Sequence, residues 1–381
     1  MITETLKFRL ADGTQRTAEA ELGETQLPAG EFLVAQPVSL DGGDRKLRQH
    51  RPVDGRYREA GYERLDNEIL VGRRLAVAAG RGYPVEVACL YGDDADGADP
   101  YALFEAYEGN PLREACKVIR EAELKVFPVS LLRGLCWLAA VGVAHRGIGP
   151  DTVLWDARRG RALITDFSVC TVFGTMRTPV PGFPAWVPKE QRSGAANGRV
   201  GQRDDIWAAA QLIFYAHTHG QERVSRDQLV ASGLGGQLVQ ALAWAFSPLT
   251  ADRPTASELL AFLGSPDPSP QGFTAGPSLI KGRASFLAAR NLKHHKDPVQ
   301  VLVPPDLDED LEWAQQSSGP ARPPAAPAAV ESFAGAPPVF ADSPVDDPRT
   351  AQDQAGAPAP GEQPGDRGKK AGFFGRRRES R

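Results

Sequence analysis

The chain has 381 residues, a formal net charge of −4 and 41% hydrophobic residues. That is enough apolar material for a folded core, and it offers no excess of positive charge for nucleic acid. No apolar run reaches the ~18–20 residues that cross a bilayer. Met1 to Thr5 lacks the basic and apolar regions of a secretion signal, so the expectation is a cytoplasmic protein. The four cysteines, Cys89, Cys116, Cys136 and Cys170, stand singly among apolar neighbours. They read as small core side chains in a reducing compartment.

Polar and apolar residues alternate around Leu6 to Leu10, which predicts a short strand or hairpin in an N-terminal extension, residues 1–25. The run 27–37 contains Gly30 but no G-x-G-x-x-G. Lys46 to His50 reads as a strand. Residues 62–75 place Leu65, Ile69 and Gly72 on one face at helical spacing. Val85 to Leu90 and Tyr101 to Glu105 read as two strands, followed by the connecting run Glu105 to Leu112.

Leu131 to Val141 is apolar nearly all round and predicts a buried helix. Val153 to Trp155 and Ala162 to Ile164 are apolar runs joined by a charged turn that ends in Gly160, the pattern of a β-hairpin. His145 and Arg146 precede this hairpin; Asp166 and Phe167 follow it. Asp205 to Tyr215 predicts a second buried helix. Pro254, followed by Leu259, Leu260 and Leu263, predicts a terminal helix.

More than half of the 32 prolines lie after Ser265. The composition there predicts a disordered Pro/Ala-rich tail, because it buries too little apolar surface to offset ordering entropy. Phe286 to Leu292 reads as a helical turn within it, and Val299 to Val303 has strand character. The end, Lys369 to Arg378, combines bases with Phe373 and Phe374 and suits weak contact with an anionic membrane or an acidic partner.

Several of these stretches carry a resemblance. His145, Arg146, Gly147 and Thr152, then Asp166 and Phe167, stand where the eukaryotic-type Ser/Thr protein kinases, bacterial members included, have H-R-D-x-x-x-x-N and D-F-G. Glu105 to Leu112 is similar to their hinge. Pro184 to Gln191 is similar to P-A-Y-M-A-P-E-Q, Asp205 to Tyr215 to the F-helix pattern, and Ala251 to Leu260 to R-P-S-A-x-E-L-L.

The resemblance implies an α+β fold of two lobes: a small β-rich N-lobe at about 26–108, a helical C-lobe at about 109–265, and the tail 266–381. It places ATP, if bound, beside Lys46, Glu68, Glu105, Tyr107 and Leu154, with Phe104 at the pocket entrance and Arg48 as a rival to Lys46. It gives Mg²⁺ to Asp166 and Thr152. Glu190 with Arg253, Asp205 and Phe167 take structural roles.

The resemblance also marks departures. Gly147 stands for the catalytic aspartate, Gly149 for a lysine and Thr152 for an asparagine. The reading is therefore a catalytically impaired kinase-like protein, a pseudokinase that regulates or scaffolds bacterial phosphosignalling. Its expected partners are a signalling kinase, a phosphatase or their substrates. The alternatives are an unconventional ATP-dependent Ser/Thr kinase and an ATP-binding switch without turnover.

Overall fold

A computed structural model describes residues 2–269, apart from 11–12, 25–26, 29–31, 55–57, 81, 181–185, 193–197 and 223–225. The described residues belong to one compact unit, Met1–Pro323; a second unit, Pro324–Arg381, lies outside them. Gly30, Phe286 to Leu292, Val299 to Val303 and the basic end therefore also fall outside the described residues. The architecture is α+β: a strand-rich half precedes a helix-rich half.

The strand-rich half contains β1 (Ile2–Leu10), β2 (Gln15–Leu22), β3 (Leu27–Pro28), β4 (Leu33–Leu40) and β5 (Arg45–Pro52). Helix α1 (Arg58–Ala79) and strands β6 (Leu90–Asp94) and β7 (Tyr101–Glu105) follow. The sheet order is β2-β1-β6-β7-β5-β4-β3, and β2 also pairs with β4. That extra pairing, Ala20 to Leu40 through Leu22 to Val38, closes the sheet into a small barrel. Alternation along β2 buries Ala18, Ala20 and Leu22, which join Leu6, Phe8, Val38, Leu40, Leu47, Tyr101 and Leu103 inside it.

β1 and β2 are integral to the sheet. β1 runs antiparallel to β2 over eight residue pairs and reaches β6 through Arg9↔Asp93 and Leu10↔Gly92. The junction needs Gly92, because a Cβ there would lie 2.8 Å from the Arg9 carbonyl oxygen. The sequence division at residue 25 does not coincide with a break in the sheet. The weak alternation around Leu6 concealed this, since only its inward positions are apolar.

α1 covers one side of the sheet with Leu65, Ile69, Val71 and Leu75. Gly72 allows the closest approach: a Cβ there would meet the Leu90 Cβ at 2.4 Å. The strand expected at Val85 to Leu90 begins only at Leu90. The preceding residues pair elsewhere. Ala88 N donates to the Ile164 carbonyl and Ile164 N to the Glu86 carbonyl, both at 2.9 Å. This short parallel bridge, Val87 with Ile164, ties the strand-rich half to the helix-rich half.

The helix-rich half contains β8 (Asn110–Pro111), α2 (Leu112–Ala115), α3 (Glu121–Ala140), β9 (Val143–Ala144), β10 (Val153–Asp156), β11 (Arg161–Ile164) and β12 (Thr171–Val172). Helices α4 (Ile206–His217), α5 (Arg226–Ala231), α6 (Gly236–Ala245) and α7 (Ala256–Phe262) complete it. α3 and α4 are buried over most of their circumference, as their apolar sequences require. β10 and β11 form the expected hairpin, Val153↔Ile164 to Asp156↔Arg161. The last helix starts at Ala256, later than Pro254, because Thr255 caps it. The Thr255 hydroxyl accepts from Glu258 N, and the Glu258 carboxylate accepts from Thr255 N.

Candidate functional site

The site lies where the loop between β9 and β10 meets the segment after β11. Asp205, just before α4, builds the loop. Its carboxylate accepts from His145 N and Arg146 N, both at 2.6 Å. Asp205 stands at a helix N-cap yet makes no cap bond of its own, because both oxygens serve the loop. Burial pushes its carboxyl up, while the two backbone donors oppose that.

His145 is fully buried and its tautomer follows from its neighbours. Nε2 lies 2.9 Å from the Thr165 carbonyl, so Nε2 carries the proton, and Nδ1 accepts from Gly147 N at 3.2 Å. Arg146 holds a positive φ of 62°. Its guanidinium donates to the Thr171 hydroxyl at 3.0 Å and to the Thr178 carbonyl, fixing the segment after Cys170.

Gly147 brings no functional group to the loop. A Cβ placed on it would meet Val169 Cγ2 at 2.8 Å. The position is therefore both without a carboxylate and crowded by a methyl group. The space around Gly149 is open, with nothing closer than 3.9 Å to a Cβ there. The Thr152 hydroxyl is engaged in the loop itself. It donates to the Gly147 carbonyl at 2.7 Å and accepts from Gly149 N at 3.0 Å.

Asp166 is half-buried and left-handed, with φ 60° and ψ 74°, and its carboxylate accepts from Ser168 N at 3.2 Å. Phe167 is fully buried in a column of rings. The centroid separations are 5.9 Å to His145 and 6.3 Å to Phe104, and Phe104 lies 4.9 Å from His50.

Lys46 and Glu68, which the resemblance sets beside one nucleotide, do not meet. Glu68 is buried and bonded to His50, Nδ1 to Oε2, at 2.8 Å. Lys46 is exposed and sits at the other end of β5, where its carbonyl accepts from Ala106 N. The four-residue separation along a strand is about 13 Å. Burial raises the Glu68 carboxyl; His50 opposes this and Asp166 adds to it. Arg48, between the two, lies over the Tyr107 ring at 4.2 Å. Burial raises the Tyr107 phenol, and it also feels Arg48, Glu68 and Asp166.

Glu105 pairs with Arg45 and donates its N–H to the Cys89 carbonyl. Leu154 is buried on β10, opposite Pro111. Away from the cleft, Glu190 and Arg253 form a two-bond ion pair at 2.5 and 3.1 Å. Burial pushes the Glu190 carboxyl up, but bonding to Arg253 more than offsets this and leaves it lowered.

The donor set suits Mg²⁺ and a nucleotide poorly. Among the described residues no group of three or more His, Cys, Asp or Glu could hold a metal ion. Asp166 is the remaining carboxylate, Thr152 already uses its oxygen, and the basic group beside Glu68 is an imidazole already bonded to it.

No protein-family model matches the chain. Among curated proteins it is similar to the serine/threonine-protein kinase STE20 of Eremothecium gossypii, 27% identical over 186 residues, 42% of this chain and 18% of that one. It is similar to the serine/threonine-protein kinase PknA of Nostoc sp., 25% identical over 207 residues, 50% of this chain and 35% of that one. A third similarity is to the MAP kinase kinase kinase wis4 of Schizosaccharomyces pombe, 25% identical over 193 residues, 46% and 13% of the two chains. The matched region spans 18%, 35% and 13% of the length of these three relatives. The chain is protein-kinase-like at low identity. Among the described residues no helix is long and apolar enough to cross a membrane.

Proposed function

We propose that this chain is a kinase-like regulatory or scaffolding module of bacterial phosphosignalling that does not transfer phosphate. One observation carries the reading. Position 147 has no carboxylate and Val169 crowds it, while the Asp205 and Glu190–Arg253 bonds that shape the surrounding loops are intact. Phosphoryl transfer rests on positioning and charge stabilisation, so loss of the base, the lysine and the second metal ligand removes most of it. The module comprises residues 2–265, barrel hairpin included, and presents its segment after β12, its helical half and its C-terminal residues to a signalling kinase, a phosphatase or their substrates.

A second reading, an ATP-binding switch without turnover, draws support from Asp166, whose charge reaches both Glu68 and Tyr107. A thermal melt of the full chain with ATP, with and without Mg²⁺ or Mn²⁺, separates the two. A ligand at 100 times its Kd stabilises by ~2.7 kcal/mol, several degrees for a domain of this size. The scaffold reading predicts no metal-dependent shift. A Mg²⁺-dependent shift that Asp166→Ala removes would replace it with the switch.

A further inference from the structure

The segment after β12 pairs with residues 198–200. Gly174 N donates to the Val200 carbonyl at 2.9 Å, Val200 N to the Thr175 carbonyl at 2.8 Å and Arg177 N to the Gly198 carbonyl at 2.8 Å. Met176 and Arg199 form an antiparallel bridge, and the Arg199 guanidinium donates to the Gly174 carbonyl at 2.7 Å. This ribbon buries little: Met176 is 58% exposed, and Thr178 and Pro179 are exposed. A two-stranded ribbon is marginal in water on its own, so its ladder alone does not account for its order.

A buried ion pair lies beneath it. Arg177 Nε and Nη2 donate to the two carboxylate oxygens of Asp204, each at 2.8 Å, and the two side chains are 8% and 1% exposed. The same Nη2 donates to the Arg199 carbonyl at 2.8 Å, so one guanidinium ties both strands of the ribbon to Asp204. Gly198, at φ 69°, leaves it room: a Cβ there would come within 3.2 Å of Arg177 Nη1. Asp204 is itself anchored. Its carboxylate accepts from Gly201 N at 3.2 Å, its carbonyl accepts from Gln191 Nε2 at 2.9 Å, and it precedes Asp205, which holds the His145 loop.

We propose that Arg177 and Asp204 form a built-in clasp that fixes residues 173–180 in one pose, so that the surface this segment offers a protein partner exists before any partner or added phosphate arrives.

The part concerning a partner rests on the function proposed above; the clasp itself rests on the bonds. A two-bond guanidinium–carboxylate pair fixes direction as well as distance, and a buried one is little screened by salt. An added phosphate orders a loop by giving its guanidinium groups a negative partner. Here Asp204 already gives Arg177 that partner, and Arg146 already holds Thr171 and Thr178 through neutral oxygens. Replacing a buried ion pair by apolar side chains is often neutral for the whole fold, whereas a pose set by its directed bonds is lost.

The test is amide hydrogen exchange on the full chain, with intact mass confirming that it carries no phosphate. In this unmodified wild type the N–H groups of Gly174, Arg177 and Val200 should be protected at least about a hundredfold, equally at ~0.05 and ~0.5 M salt. In the double variant Arg177→Met/Asp204→Leu their protection should fall at least about tenfold, while α3 and α4 keep theirs. In Asp204→Asn, which retains an acceptor but not the charge, the fall should be smaller and confined to the same amides. Unprotected amides in the unmodified wild type, or full protection in the double variant, would overturn the clasp. Should the double variant not fold, Asp204→Asn decides, and full protection there would overturn it. The exchange result does not depend on whether the cleft transfers phosphate, so the clasp and the scaffold reading fail separately.

Discussion

Replacing Arg253 with alanine is expected to lower the unfolding free energy by ~3–5 kcal/mol, because it strands Glu190 as a largely buried carboxylate. Arg253 is 2% exposed and is among the largest fully buried side chains. Besides its two bonds to Glu190, it donates to the Ser247 carbonyl at 3.0 Å. It thus joins the short helical turn at Lys189–Gln191 to the approach to α7. Arg253→Lys should recover little, since an ammonium does not reproduce the fork. The pair also carries a pH signature. Glu190 titrates below its ordinary value in the folded chain, so its stabilisation is present at neutral pH and disappears as pH falls through that lowered value. Urea unfolding at pH 7 and at about pH 4 measures both effects: the wild type should lose stability on acidification, and Arg253→Ala should lose less. Equal acid losses in the two proteins would remove the pair as the cause.

The second large effect is expected from Asp205→Ala. Its two oxygens satisfy the backbone N–H groups of His145 and Arg146, both buried. Each donor left unpaired costs ~1–3 kcal/mol. The loss of a buried carboxylate returns part of this, because burial already raises the Asp205 carboxyl. The net expectation is ~2–4 kcal/mol, with the loss of order centred on the loop. Arg146 holds φ 62° there, a conformation with a cost of its own that the Asp205 bonds help to maintain. Denaturant melts give the magnitude, and hydrogen exchange over residues 143–152 gives the location. A stable variant with full protection in that loop would show that Asp205 is dispensable.

Much of the helical half was legible because burial there leaves a plain mark. Leu131 to Val141 and Asp205 to Tyr215 are apolar around most of the helix, so the sequence has few other ways to satisfy them. The 153–164 hairpin was equally clear, from two apolar runs and a Gly160 turn. The barrel closure was not. It depends on β2 pairing with β4, a contact between segments whose pattern is weak, and on the missing side chain of Gly92.

The site was harder to read for a chemical reason. A search for a cation to match Glu68 selects Lys46 or Arg48, since histidine is only conditionally charged. Strand geometry puts positions 46, 48 and 50 on one face, and only the last meets α1. Spacing along β5 relative to α1 was the available signal, but the side-chain charge pointed elsewhere. Val169 could not be anticipated at all, because its contact with position 147 crosses the hairpin.

The most direct test is transfer of phosphate from labelled ATP by the full chain, with Mg²⁺ and with Mn²⁺, to itself and to generic protein substrates. The account predicts no incorporation above that of Asp166→Ala. Stoichiometric labelling by the wild type that Asp166→Ala abolishes would contradict it and make the chain an enzyme.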